Sequence, residues 1–282
     1  MNLSTRSRII NIILTIFSTI FVFIMLCAAI LPIIWIFTGS FKTNAEIFSG
    51  SLGFPETMSL KNYEKALRMA PIIQFYGNSI FIAFSTMALN IFIVSLSSYV
   101  LSRFQFKGRE AIRTLLTSSL MIPAAALLLP LYLTITRIGL YNTLTGLILA
   151  YSAFNIPVSL YVLTSYYLTI PMELEDAAYI DGAGFYRTFF TIIAPLAKPA
   201  MATCGVLAFL GAWNEFQFAL TLTTTNSKRT LPIALQYFKS QFSSDYGAMF
   251  AATMLVVLPS IIVFIVMQEQ VTSGLVSGAV KG

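Results

Sequence analysis

The chain has 282 residues, of which 57% are hydrophobic, 14% aromatic and only 10% charged; it carries a formal charge of +6 and no histidine. A soluble domain carries about 25% charged residues, so this composition excludes an ordinary globular protein, and the missing histidine excludes a histidine-dependent metal or catalytic centre. In a soluble chain the positive charge would point to nucleic acid; here the bases flank apolar tracts, which ties them to membrane topology and anionic lipid instead.

Apolar tracts recur along the whole sequence, and a membrane-crossing helix needs about 20 of these residues. They predict spans at about 12–37, 76–101, 114–136, 142–167, 200–223 and 247–268. The expected fold is therefore an all-α membrane protein with six transmembrane helices, organised as a single domain over 1–282. Long continuous runs argue against a β-barrel, whose strands alternate over short segments. The first tract follows Arg6 and Arg8 as a signal peptide would. It is longer than a signal core and shows no small-residue cleavage site, so it reads as a span.

Between the first two spans, 39–72 carries mixed charge, including "SLKNYEKAL". That segment reads as a capped amphipathic helix on the outer surface or as a dock for another protein, and 224–245 reads the same way. The short turn between spans two and three holds Arg103, Lys107, Arg109 and Arg113. With Arg6 and Arg8 directly before the first span, these bases place both termini in the cytoplasm. Pro123 and Pro130 are spaced to share one face of span three, Asn155 and Pro157 lie in span four, and Pro259 lies in span six. They read either as kinks packed among neighbours or as the lining of a path.

Span five contains Trp213, Asn214 and Glu215, the only acid inside a predicted span. An acid at a helix centre costs about 2.5–3.5 kcal/mol on the insertion scale, so Glu215 should face the bundle interior or water. An aromatic ring beside hydrogen-bonding groups suits a sugar. A glutamate paired with a donor on a neighbouring subunit fits equally well. Cys27 and Cys204 both lie in apolar tracts and read as packing residues.

The connection between spans four and five, about 169–195, is different in kind. Glu173, Glu175 and Asp176 stand where acids complement the positive end of a helix, after Thr169 and Pro171. "DGAG", beginning at Asp181, ends that helix, and a second segment places Phe185, Phe189 and Ile193 on one face before Pro195. Such a compact helix, glycine turn and helix can dock into a groove of another protein. An amphipathic hairpin lying on lipid is the other reading, but it calls for bases towards anionic headgroups, where this stretch is acidic.

This stretch resembles the Glu-Ala-Ala loop of permease subunits in binding-protein-dependent ABC importers. The matching residues are Asp176, Ala177 and Ala178, then Gly182, then Ile192 and Pro195; Asp176 replaces the usual glutamate and Ala194 the usual leucine. "SFKTNAEIF", "NYEKAL", "MIPAAALLLPLY", "FLGAWNEF" and the ending "GLVSGAVKG" occur in the order and spacing of the carbohydrate-type branch. The resemblance implies a non-catalytic inner-membrane subunit in a bacterial or archaeal cell, forming half of a path for a carbohydrate, oligosaccharides foremost. It also implies a second permease subunit, two ATPase subunits that bind ATP and Mg, and an external solute-binding protein, with no cofactor and no metal on this chain. The sequence contains no G-x-x-x-x-G-K-[ST] phosphate loop, in keeping with hydrolysis on a partner.

Carried onto this sequence, the ATPase-coupling residues are Glu175, Asp176, Ala177, Ala178, Asp181 and Gly182. The tail 269–282 would reach the ATPases through Gly278, Lys281 and Gly282. Asn155, Trp213, Asn214 and Glu215 are the candidates for the solute path. A different class, a secondary transporter driven by an ion gradient, would show repeated halves and several buried ionisable groups. Neither is evident here.

Overall fold

The computed structural model describes residues 3–50, 53–238 and 245–279, without the side chains of 3–10 and 270–279. Its described elements are helical throughout. In chain order they are α1 (Leu3–Gly39), α2 (Asn44–Phe48), α3 (Lys61–Met69), α4 (Ile72–Arg103), α5 (Arg109–Ser118), α6 (Leu128–Arg137) and α7 (Leu144–Tyr167). There follow α8 (Glu173–Ile180), α9 (Phe185–Thr188), α10 (Ala194–Leu196), α11 (Lys198–Asn214), α12 (Gln217–Leu222) and α13 (Tyr246–Ala279). Short 3-10 turns join α5 to α6 and form 231–238, and a π-helical turn, Phe189–Ile193, joins α9 to α10.

Among the described residues, α1, α4, α7 and α13 are each long and apolar enough to cross a membrane. Two bent pairs bring the number to six if each pair is one span. The tracts read as spans three and five are therefore bent. Span three turns by 104° between Arg109–Met121 and Ala124–Arg137. Pro123, with extended backbone, sits at that corner, so Pro123 and Pro130 do not share one helical face. Span five is preceded by a 77° bend between Phe185–Leu196 and Lys198–Asn214. It also ends earlier than expected: the backbone extends at Glu215, and α12 begins anew at Gln217.

Contacts divide the chain into two units, 1–70 with 238–255 and 71–237 with 256–282. In the first, α1 exposes apolar side chains on all sides, as a helix surrounded by lipid or by another subunit must. Its end is tied to the segment that follows: buried Asn62 donates through Nδ2 to the carbonyls of Ser40 and Lys42, at 2.9 and 2.8 Å. Thr43 and Glu46 form a reciprocal capping box at the start of α2, so the "SFKTNAEIF" stretch is a capped turn of helix. Backbone and side-chain hydrogen bonds from Thr43, then the Glu56 amide, hold the Glu46 carboxyl below its usual range.

In the second unit, α4, α7 and α11 pack against one another. Their shared core includes Val94 and Tyr99 from α4, Leu160, Leu163 and Tyr167 from α7, and Cys204 from α11. The start of α7 is fixed locally. Thr143 accepts from the Gly146 amide at 3.0 Å, and a Cβ at Gly146 would run into the Leu140 carbonyl oxygen. A backbone atom cannot swing aside as a side-chain tip can, so Gly146→Ala should cost about 1–3 kcal/mol through enforced displacement. The expected outcome is a lower thermal unfolding temperature of the purified transporter; unfolding at the unmodified temperature would show that α7 starts by another route.

Candidate functional site

The acidic connection folds as the sequence predicts in outline, with one helix, a glycine turn and a second helical segment. Glu173, Glu175 and Asp176 lie in the first turn of α8, which spans eight residues. Its end is closed by a paired capping pattern: the Gly182 amide donates to Tyr179 O at 3.0 Å and the Ala183 amide to Ala178 O at 2.9 Å. This arrangement needs a left-handed residue at the turn, and Gly182 supplies it with φ +80°. The second segment widens into the π-helical turn before Pro195. Widening there relieves the clash a proline ring makes with the carbonyl four residues earlier in a regular helix.

The two faces of this connection differ. Phe189 and Ile193 are buried in the core of α4, α7 and α11, with Phe185 packed against them. Asp176, Ala177, Asp181 and Gly182 are exposed, as are Tyr179, Tyr186 and Ile180, the last at 86%. The outward surface is thus an acidic and aromatic knob with one fully presented isoleucine.

Glu175 and Ala178 depart from the rest of the predicted coupling set: both are buried against their own chain. Glu175 Oε1 lies 2.7 Å from Arg103 Nε, and its Oε2 accepts from the Tyr99 hydroxyl at 2.7 Å. Arg103 is therefore engaged at the end of α4, and its neighbour Arg109 donates to the carbonyls of Leu101 and Ser102 at 2.8 and 3.3 Å. These carbonyls belong to the last turn of α4, where a cation is favoured. Lys281 and Gly282 lie outside the described residues, and of Gly278 only the backbone, within α13, is described.

The predicted path residues lie close together in sequence but do different things. Trp213 is buried, stacks on Phe209 at 5.8 Å and donates from Nε1 to Val256 O at 3.1 Å. Asn214 is exposed and accepts from Ser260 at 3.1 Å. Asn155 donates to Tyr151 O at 2.8 Å, and its side chain lies against Gly211. Glu215 accepts from the Tyr151 hydroxyl at 2.7 Å and from the amides of Phe218 and Ala219, at 2.7 and 2.9 Å. Its charge thus sits at the start of α12, where exposed helix amides favour an anion. Sequence reasoning missed these partners because two are backbone amides freed by the break itself and the third, the Tyr151 hydroxyl, comes from α7, far along the chain.

A cleft of about 560 Å³ opens beside these residues, lined by Ser119, Pro130, Thr134, Phe154, Pro157 and Phe218 among others. It lies where the bent third span meets α7 and α12. Pro130 and Pro157, read from sequence as possible lining, both border it; Asn155, Trp213, Asn214 and Glu215 are not among its lining residues.

The model of the family described as "Binding-protein-dependent transport system inner membrane component" matches residues 92–273, from mid-α4 into α13. The chain belongs to this family. It is a multi-pass membrane permease subunit of a binding-protein-dependent ABC importer. Among curated relatives it is 36% identical to the probable ABC transporter permease protein YurM of Bacillus subtilis, over 93% of this chain and 87% of that one. It is 34% identical to the diacetylchitobiose uptake system permease protein NgcG of Streptomyces coelicolor, over 89% of this chain and 84% of that one. Its fold resembles a chain of a bacterial ABC transporter involved in the import of the acidic polysaccharide alginate, with a TM-score of 0.80 and 24% identity over 95% of this chain and 98% of that one.

Losing the Glu215 charge has a defined cost in this permease. Glu215→Gln keeps the shape but replaces one of two acceptor oxygens by a donor, leaving a hydroxyl or an amide without its partner. It should destabilise the α11–α12 corner by about 1–2 kcal/mol. Thermal unfolding of the purified transporter checks this, and an unshifted unfolding temperature would remove the capping role.

Proposed function

We propose that this permease is one of two that together line the path for a carbohydrate, oligosaccharides foremost, and that residues 173–184 seat in a cleft of a cytoplasmic ATPase subunit. Two such ATPases, binding ATP and Mg, would supply the work, with a solute-binding protein delivering from outside. The single observation that carries the docking assignment is the two-faced construction of the connection. Its inner face is fused to the core of three spans, while Asp176, Ala177, Tyr179, Ile180 and Asp181 project from a turn closed by Gly182. A knob fixed this way can receive a push; a loose loop would absorb it. The acids offer charge-assisted pairing to a basic cleft, and Ile180 an apolar anchor.

The same contacts support an orientation. Arg103, Lys107, Arg109 and Arg113 lie at the end of α4 that meets α8 through Arg103 and Glu175. The short loop dense in bases therefore supports a cytoplasmic position for the knob and, with an even number of spans, for both termini. The carbohydrate class is supported by the diacetylchitobiose permease relative. Conformational work would arise because the ATP-closed ATPase pair binds one arrangement of the spans better than the other.

Gly182→Val tests the assignment. No atom lies within 4 Å of a Cβ there, so the change acts on the backbone alone, through the left-handed φ of +80°. A β-branched residue in that region is strained by about 1–2 kcal/mol, enough to reshape the turn. Membrane insertion should persist, while copurifying ATPase and ATP-driven uptake fall together by about tenfold. Unaltered ATPase retention and uptake would move the dock away from this turn.

A further inference from the structure

Glu175 is the one acid of α8 turned inward, and the two side chains that meet its carboxylate, Tyr99 and Arg103, belong to the end of α4. Oε1 contacts Arg103 Nε at 2.7 Å, a charge contact rather than an aligned hydrogen bond, and Oε2 accepts from Tyr99 at 2.7 Å. Arg103 also donates from Nη2 to Ile170 O at 2.6 Å and meets Met172 Sδ at 3.1 Å. Both charged side chains are almost fully buried, with 5% and 3% exposed. Tyr99 is itself held by rings: Phe189 at 5.1 Å, Phe185 at 5.4 Å, Phe104 at 5.8 Å and Tyr167 at 5.9 Å between centroids.

We propose that Tyr99, Arg103 and Glu175 form a latch that fastens the docking helix α8 to the end of α4, so that the ATPase stroke enters the membrane through the second span. This rests on the docking reading given above and adds the route by which the force leaves the knob. Besides the short segment 168–172 that leads back to α7, two mechanical links leave α8. The chain itself continues towards α11 through a π-helical turn and a 77° bend, with no ion pair joining α8 to α11 among the described residues. The link to α4 is a desolvated ion pair with a hydroxyl bridge. Separating it would strand two charges out of water, so it resists a load that would unwind an ordinary turn. α4 is also the helix that packs against both α7 and α11. A displacement of its end is therefore felt by the whole three-helix core. The three latch residues act through α8 and are positioning residues: none is part of the exposed face offered to the ATPase.

The test uses the complete transporter, with its second permease, ATPases and binding protein, in sealed proteoliposomes. Glu175→Gln keeps the side-chain shape and removes the charge. Tyr99→Phe keeps every ring contact and removes the hydroxyl bridge. The latch predicts that Glu175→Gln retains copurifying ATPase within about twofold of the unmodified chain but lowers solute imported per ATP hydrolysed by about tenfold, with about a threefold fall for Tyr99→Phe. A purely structural role would lower the amount of assembled transporter and leave that ratio unchanged. An unchanged ratio in both variants overturns the latch. So does loss of ATPase in proportion to uptake, which would make Glu175 part of the dock. Where Glu175→Gln does not assemble, Tyr99→Phe decides by the same ratio. An unmodified chain that retains no ATPase overturns the docking reading itself, and the latch with it.

Discussion

Arg103 and Glu175 are buried together at the point where the second span ends and the connection between spans four and five begins. Removing one member of such a pair costs about 3–5 kcal/mol, because the other is left charged and dry. That constraint orders the surrounding residues. It turns one side of α8 inward, brings Tyr99 under the aromatic pair Phe185 and Phe189, and leaves Asp176, Ala177, Ile180 and Asp181 facing out. The same connection is consequently part of the core on one side and a protrusion on the other. The docking proposed above, which passes a stroke from an aqueous subunit to a hydrocarbon-embedded bundle, requires both properties in one element.

A second constraint acts within the spans. Backbone amides and carbonyls at membrane depth must find partners inside the protein. At three places where this chain leaves a regular helix, a specific group meets that demand. Arg109 covers carbonyls at the end of α4, Thr143 caps α7, and Glu215 receives the amides of the restarted helix α12. Breaks supported in this way are shaped corners rather than defects. The restart at α12 places Phe218 on the wall of the cleft that α12 shares with the bent third span and α7.

Much of this was legible in the sequence for identifiable reasons. Uninterrupted apolar runs located the spans, and acids followed by Asp181 and Gly182 marked a helix and its stop, because both signals depend on neighbouring residues. The 104° turn was not legible: a proline within an apolar run marks a kink without giving its size, and Pro123 lies where the chain turns slightly past a right angle. Arg103 counted as a topology charge, yet it spends that charge on Glu175, a partner far along the chain. Glu215 was recognised as costly by depth alone. Its partners could not be read, since the Phe218 and Ala219 amides become free donors only once the helix breaks. Trp213 illustrates the same limit: residue type suggested a sugar platform, whereas packing against Phe209 and the bond to Val256 O place it in the core.

On the docking proposed above, these elements form a machine driven through α8, while Glu215, the acid within the predicted spans, already accepts three hydrogen bonds from its own chain. The most direct measurement is solute uptake into sealed proteoliposomes holding the complete transporter, with ATP inside, loaded binding protein outside and an ionophore collapsing every ion gradient. The account predicts uptake that requires ATP and the binding protein and is unaffected by the ionophore. Uptake that proceeds without ATP and stops on addition of the ionophore would contradict it.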